Sequence, residues 1–428
     1  MKTTGLYENN TYLRSCTATV LEVHDEQMSA EDDERMCRVV FDRTVFFPEG
    51  GGQSSDVGTA SFTEHGEQVF KVNDVQEEHG VVYHTMSGNA PLPAPGDEMV
   101  LAIDWEHRFD NMQRHCGEHI LSGAFYRLFG AINKGFHMGE DYMTIDLGFD
   151  RDVQDRLGMP HYDRVTWAMA EEAETEANMV IWLDAPVTRL HFDSRSKAEE
   201  MPLRKKLAFD EDISIVMVGD LPDPYDCVAC CGTHPSSAGQ VGMIKIYKIE
   251  PNKGMSRIYL ECGGRAFRHY QKRLDDMYDI ACDMSCGLED LKEKYDIAQE
   301  KNGALHDRLS GMTRRVVSSE AESILASADK TSVRYYDDLG TDDILSIVKQ
   351  LDRMSRTAGQ SAPSIVVLVN VSEKTVILAS PDGSADCGKL VKQNAPAFSG
   401  RGGGKPQMAR AMFSTADDVR AFVSKVTS

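Results

Sequence analysis

His115 and His119 stand four apart in QRHCGEHILSGAF, and Cys230 and His234 stand four apart in DCVACCGTH (226–234). On a helix the first spacing puts two imidazoles on one face, where both can reach a single ion. In a tight turn the second puts a thiolate beside an imidazole, a soft and a borderline donor suited to Zn²⁺. An isolated HxxxH is weak, because many such pairs are two half-buried histidines. The crowding of Cys227, Cys230, Cys231 and His234 also admits a zinc ribbon, a disulfide knot, a thiol nucleophile or half of a metal site completed elsewhere. A ribbon needs a second CxxC, and the only other closely spaced cysteines, Cys282 and Cys286, lie in an apparent helix. Cys231 beside His234 can be written as a nucleophile and its base, but that leaves the histidine pair unused. HCGEH is also HxxEH, the inverted zinc-peptidase pattern with Glu118 as general base. That reading needs a downstream carboxylate ligand and gives Cys230 and His234 no task.

The elements that must position these residues can be read in outline. At 428 residues the chain is too long for one core, and roughly 150 residues per domain gives two to four domains. No opening segment resembles a signal peptide, and no apolar run approaches the about 20 residues that span a bilayer. A cytoplasmic protein without a membrane partner is expected. Ten cysteines are too few for a disulfide scaffold, and a reducing compartment keeps them as thiols. The net charge of −22 argues against bulk attraction to nucleic acid and leaves local basic patches open.

Residues 1–104 are expected to form a small β-barrel or sandwich, from short Val-, Phe- and Thr-rich runs broken by turns. Inside it, FFPEGGGQSSDVG (46–58) carries glycines suited to an elaborate turn or a close backbone approach. Residues 105–264 are expected to be an α+β domain. It opens on an amphipathic helix with Met112, Ile120, Leu121, Ala124, Phe125, Leu128 and Phe129 repeating largely at three and four. A strand at 142–149, a helix near 163–180, strands near 179–192 and 213–218, and a closing hairpin around Pro251–Gly254 follow. Residues 265–315 read as a helical connector whose seam, Leu288, Leu291, Tyr295, Ala298, Asn302, Leu305 and Leu309, suits a short coiled coil or helical hairpin. Residues 316–428 form a C-terminal α/β unit. Its GRGGGKP departs from a phosphate loop, with three residues between Gly400 and Gly404 and Pro406 where Ser or Thr would hold magnesium.

FFPEGGGQSSDVG, QRHCGEHILSGAF, GFHMGEDYMTIDL, CCGTHPSSAGQVGMIKI and RIYLECGGRA, in this order, resemble the free-standing alanyl-tRNA editing proteins, relatives of the editing domain of alanyl-tRNA synthetase. FSGRGGGKPQMARA resembles the glycine-rich segment of the DHH-associated C-terminal domain in the long form of that family. The resemblance implies hydrolysis in trans of the ester joining serine, or glycine, to alanine tRNA. It puts the family's zinc ligands on His115, His119, Cys230 and His234, and its pocket on Asn133, His137 and Thr144. The synthetase domain tends to have glutamine near Asn133. Glu118 stands where relatives often have Gln and is expected to support the histidines. Gly50, Gly51, Gly52 and Gln53 are expected over the site, facing the tRNA end. Zinc could activate water or anchor the substrate, and four protein ligands already fill a tetrahedral shell. Basic residues in 189–207, with Lys245, Lys248, Lys253 and Arg257, are expected to meet tRNA phosphates, and a homodimer is expected through the connector or the C-terminal domain. A tRNA-binding or assembly protein with structural zinc is the non-catalytic alternative.

Overall fold

The computed structural model describes residues 2–26, 35–208, 210–327, 329–358 and 362–428. The protein is α+β and divides into two compact units, Met1–Met277 and Tyr278–Ser428.

The first unit opens with a closed six-stranded barrel of Ser15–Glu26, Arg35–Phe41, Gly58–Phe62, Val69–Glu78, Val81–Gly88 and Glu98–Ile103. Alternating side chains explain it: along Val81–Gly88 buried and half-buried residues alternate through Met86, so one face fills the barrel with Val39, Phe41, Phe70, Val72, Met86 and Leu101. His84 is buried among them, its ring edge-on to Phe41 and Phe46.

Helix α1 (Trp105–Phe129) follows at once. Asp104 caps it by accepting from the amides of Glu106 and His107, and Gly130 ends it in the left-handed region at φ 66°. The sequence suggests one apolar face, but α1 is buried almost all round from Asn111 to Phe125. Its polar positions are met by partners instead of water. Arg108 forks onto Asp56, and Arg114 pairs with Glu261 at 2.9 Å. A full helical surface of contacts thus holds the two histidines.

α1 packs on an antiparallel sheet ordered Ile244–Asn252, Met255–Cys262, Met143–Phe149, Ala131–Met138. The closing hairpin turns through Lys253 and Gly254, both at positive φ. A second, three-stranded sheet joins Val187–Phe192, Ile213–Val218 and Asp226–Ala229. The helix between the sheets is Trp167–Trp182, so the strand expected near 179 starts only at Val187.

In the second unit, a 36-residue helix, Leu291–Ala326, buries Val317, Ala321, Ile324 and Leu325 against a five-stranded sheet. The seam residues Tyr295, Leu305 and Leu309 are 50%, 63% and 63% exposed. The sheet is ordered Thr331–Tyr336, Ile365–Asn370, Thr375–Ala379, Met408–Met412, Arg401–Lys405, with only its first pair parallel. The glycine-rich segment is thus the edge strand Arg401–Lys405 rather than a loop.

Candidate metal centre

The two histidines come from consecutive turns of α1. Cys230 and His234 come from the turn that leaves the strand Asp226–Ala229. Their donor atoms lie within 4.8 Å of one another. Cys230 Sγ stands 3.4 Å from Nε2 of both His115 and His234. A tetrahedral ion with sulfur at about 2.3 Å and nitrogen at about 2.0–2.1 Å needs donor edges of about 3.3–3.6 Å. The two edges from Cys230 match that spacing and the other donors lie within 4.8 Å, so three nitrogens and one sulfur are gathered closely enough for a divalent ion that accepts both donor types. No disulfide joins Cys227, Cys230 and Cys231. Burial alone would push the Cys230 thiol up, but the imidazoles of His115, His234 and His119 outweigh it and hold it well below the usual thiol range. That favours the thiolate a metal requires.

The far side of His115 is hydrogen-bonded, and that of His119 faces a buried carboxylate. His115 Nδ1 lies 2.9 Å from Gln53 Oε1, so Nδ1 donates and Nε2 is left for an ion. Gln53 also donates to Thr233 Oγ1 at 2.8 Å and accepts from the Thr233 amide at 3.1 Å. His119 Nδ1 lies 3.2 Å from Asp226 Oδ2, and the same carboxylate takes Arg204 Nε at 2.5 Å. Phe136 stacks on the His115 ring with centroids 5.3 Å apart.

Glu118 sits between the histidines and is buried. Its Oε1 accepts from Ser122 Oγ at 2.6 Å and Asn133 Nδ2 at 2.5 Å, and its Oε2 lies 3.8 Å from His119 Nε2. Burial raises its pKa, but His119, Arg204 and the Ser122 hydroxyl together bring it below the ordinary carboxylate value.

A cleft of about 480 Å³ opens over the cluster, lined by His115, His119, Cys230, Glu118, Asn133 and Phe136, with Gly51 and Cys231 at its wall. Gly50–Gln53 forms a tight turn with reciprocal backbone bonds of 3.0 and 3.1 Å, and Gly51 and Gly52 at its corners have φ of 61° and 86°. Gly51 thus faces the cleft, whereas Gln53 is fully buried behind His115. Asp56 of the same motif grips Arg108, so the loop docks the barrel onto α1 by side chains as well as by glycine geometry.

Thr144 and His137 are not brought to the cluster. They are cross-strand partners, in register also with Tyr259, so all three share one sheet face. The opposite face carries Ile145, Ile258 and Phe136 toward α1. His137 is exposed beside Tyr142. Cys227 packs in a small core with Ile215 and Met217, and burial pushes its thiol up to about 12. The residues that the sequence reading missed are Asp226, Arg204, Phe136 and Gly232. Asp226 could have been found as the acid beginning DCVACCGTH, since ligand histidines take carboxylate partners.

Among known families, residues 2–107 match the family described as tRNA synthetases class II (A). Residues 213–259 match the threonyl and alanyl tRNA synthetase second additional domain, and 332–428 the DHHA1 domain. The alanyl-tRNA editing protein AlaX-L of Pyrococcus horikoshii is 28% identical over 412 residues, covering 95% of this chain and 93% of that protein. The alanine–tRNA ligase of Lactococcus lactis subsp. cremoris is 27% identical over 98% of this chain, which spans 47% of the ligase. That of Pyrobaculum aerophilum is 31% identical over 277 residues, 63% of this chain and 28% of the ligase. The order of the three matched families, the length shared with AlaX-L and the DHHA1 domain at the C-terminal end agree: along nearly its whole length the chain is similar to the long-form alanyl-tRNA editing proteins.

Proposed function

We propose that this protein is a zinc-dependent hydrolase that edits mischarged alanine tRNA in the cytoplasm, cleaving the ester that joins serine, or glycine, to the tRNA 3′ end. The observation that carries this reading is the convergence of His115, His119, Cys230 and His234 under an open cleft, in a chain similar to the editing proteins. When bound, zinc supplies a fixed positive charge that polarises an ester carbonyl or a nearby water. Gln53 and Asp226 hold His115 and His119 with their Nε2 atoms toward the donor cluster. Glu118 has one oxygen fixed by Ser122 and Asn133, and the other accepts a proton from the attacking water. Gly51, with its neighbours Gly50 and Gly52, brings bare backbone to the cleft wall where the ester enters. A substrate hydroxyl that replaces a hydrogen-bonded partner in such a site separates serine from alanine better than an apolar pocket can. The alternative of an inverted-motif peptidase is disfavoured, because the donors beside the two α1 histidines are Cys230 and His234, and the downstream carboxylate Asp226 faces His119 at Nδ1.

The unpartnered seam with Leu305 and Leu309 supports a homodimer through the connector. The decisive assay follows ester loss from serine-charged and alanine-charged alanine tRNA. Rapid release of serine with alanine retained is expected, and release that survives Cys230→Ala would remove the metal from the mechanism.

A further inference from the structure

The cleft does not end at the donor cluster. A second depression of about 830 Å³ adjoins it and shares Asn133, Lys134, Arg204 and Lys205 with its lining. The two depressions meet at these side chains, and the outer one adds Arg156 and Lys206, from the helix Arg151–Arg156 and the segment before Leu207. Lys134 and Lys206 are exposed and Lys205 is half-buried, and none has a carboxylate partner among the described residues. Among the described residues Arg156 donates to the Tyr126 phenol, at 3.2 Å, and has no ion pair. Arg204 is buried, spends two nitrogens on Asp226, and keeps Nη1 without a partner. The groove also holds Asp150, Asp152 and Glu199. Of these Asp150 is occupied in capping its helix, and Glu199 is paired with Arg195 at 2.7 Å.

Four other basic residues near the editing sheets are paired instead. Lys245 pairs with Glu174, Lys248 with Glu250, Arg257 with Asp146, and Arg195 with Glu199 and Asp210. In a chain of net charge −22, Lys134, Lys205, Lys206 and Arg156 have no ion-pair partner among the described residues and outnumber Asp150, Asp152 and Asp212 in the same linings, and cations so gathered along a concave track beside the donor cluster mark a site for a polyanion. A groove that leads into a cleft admits a single strand end-on and excludes a duplex.

We propose that this groove holds the sugar–phosphate backbone of a single-stranded RNA 3′ end, with the terminal nucleotide in the metal cleft and the preceding phosphates along Lys134, Lys205, Lys206 and Arg156. The inference rests on the editing reading for what occupies the cleft and extends it to the path of the strand.

The test uses the full-length, metal-loaded protein and an oligoribonucleotide ending in CCA, titrated at several salt concentrations against the unsubstituted protein, Lys206→Ala and Arg156→Gln. Both substitutions lie outside the metal cleft. Each is expected to weaken the oligonucleotide about 5-fold and to flatten the slope of log K against log salt by roughly 0.7. Adenosine, which carries no phosphate, is expected to bind all three proteins alike. Unchanged slopes, or no binding of the oligonucleotide to the unsubstituted protein, would overturn the proposal. Equal weakening of a polyglutamate of matching charge would also overturn it, as a general anion surface. Serine-tRNA deacylation by the unsubstituted protein is measured alongside. Its absence removes the editing reading and leaves the slopes to judge the groove, whereas turnover with unchanged slopes removes the groove alone.

Discussion

Gly232 lies directly against His115: a Cβ built on Gly232 would come within 2.3 Å of the imidazole Cε1 and Nδ1 and 2.9 Å of Gln53 Oε1. The glycine between Cys230 and His234 is thus the space in which the first histidine and its partner sit. Gly232→Ala should displace the ring and lower metal affinity by at least about tenfold, the usual scale for disturbing a ligand's support. Chelator competition on the purified variant checks this, and an unchanged constant would show that the turn gives way instead.

Gln53 should behave as a positioning residue. Gln53→Leu removes the acceptor for His115 Nδ1 and the bonds to Thr233, and a loss of about 10- to 100-fold in metal affinity is expected. Gln53→Glu keeps an acceptor facing Nδ1 and should recover part of it. Equal affinities for the two variants would argue that Gln53 only fills space.

The three cysteines of 226–234 should separate cleanly. Cys230→Ala is expected to abolish stoichiometric metal binding. Cys231→Ala, at the exposed cleft wall, and Cys227→Ala, in the small apolar core, should retain it. Metal content after dialysis is the readout, and metal lost from Cys231→Ala would reinstate that thiol as a ligand.

Asp226 answers to both His119 and the buried Arg204. Asp226→Asn leaves a guanidinium without a counter-charge, which costs about 3–5 kcal/mol when one partner of a buried pair is removed. Urea denaturation of metal-free protein isolates this from ligand effects. Adding Arg204→Met should recover much of the loss, and a double variant no more stable than the single one would contradict the assignment.

The barrel carries its own pH dependence. His84 Nδ1 donates to the Val39 carbonyl at 3.2 Å and Nε2 accepts from Thr44 Oγ1 at 2.8 Å, a pattern that suits the neutral ring. Burial lowers its pKa to about 4. The unfolded chain therefore binds a proton between pH of about 6.5 and 4 that the folded barrel refuses. The stabilisation is complete above about pH 6.5 and is lost as pH falls toward 4, about 3 kcal/mol over the whole window. Denaturation midpoints across this range should fall for the native protein and lack this component in His84→Gln.

The sequence carries the donor set and the layout because both are local: HxxxH and CxxxH are spacings within one element, and barrel, editing sheet and C-terminal sheet each follow from period and turn residues. What it does not carry is the matching between elements. Gln53 meets His115 across 62 positions, and no pattern in GGGQ distinguishes a side chain turned into the protein from one turned to a substrate. The strand Met143–Phe149 is a sharper lesson. Met143, Ile145 and Leu147 are all buried, and that alternation already assigns Thr144 to the other face, away from the donors. The buried charges of α1 escape a periodicity argument for a different reason, since Arg108 and Arg114 look like solvent-facing residues until Asp56 and Glu261 are brought to them.

His115 and Cys230 stand 115 residues apart along the chain. An ion gripping both is a removable staple across that length, and closing a loop of about 100 residues is worth about 4–5 kcal/mol in the chain-entropy treatment of crosslinks. Loss of the ion should therefore loosen the whole first unit as well as silence the cleft. During synthesis the two histidines emerge long before the cysteine turn exists, so loading waits until that turn has left the ribosome.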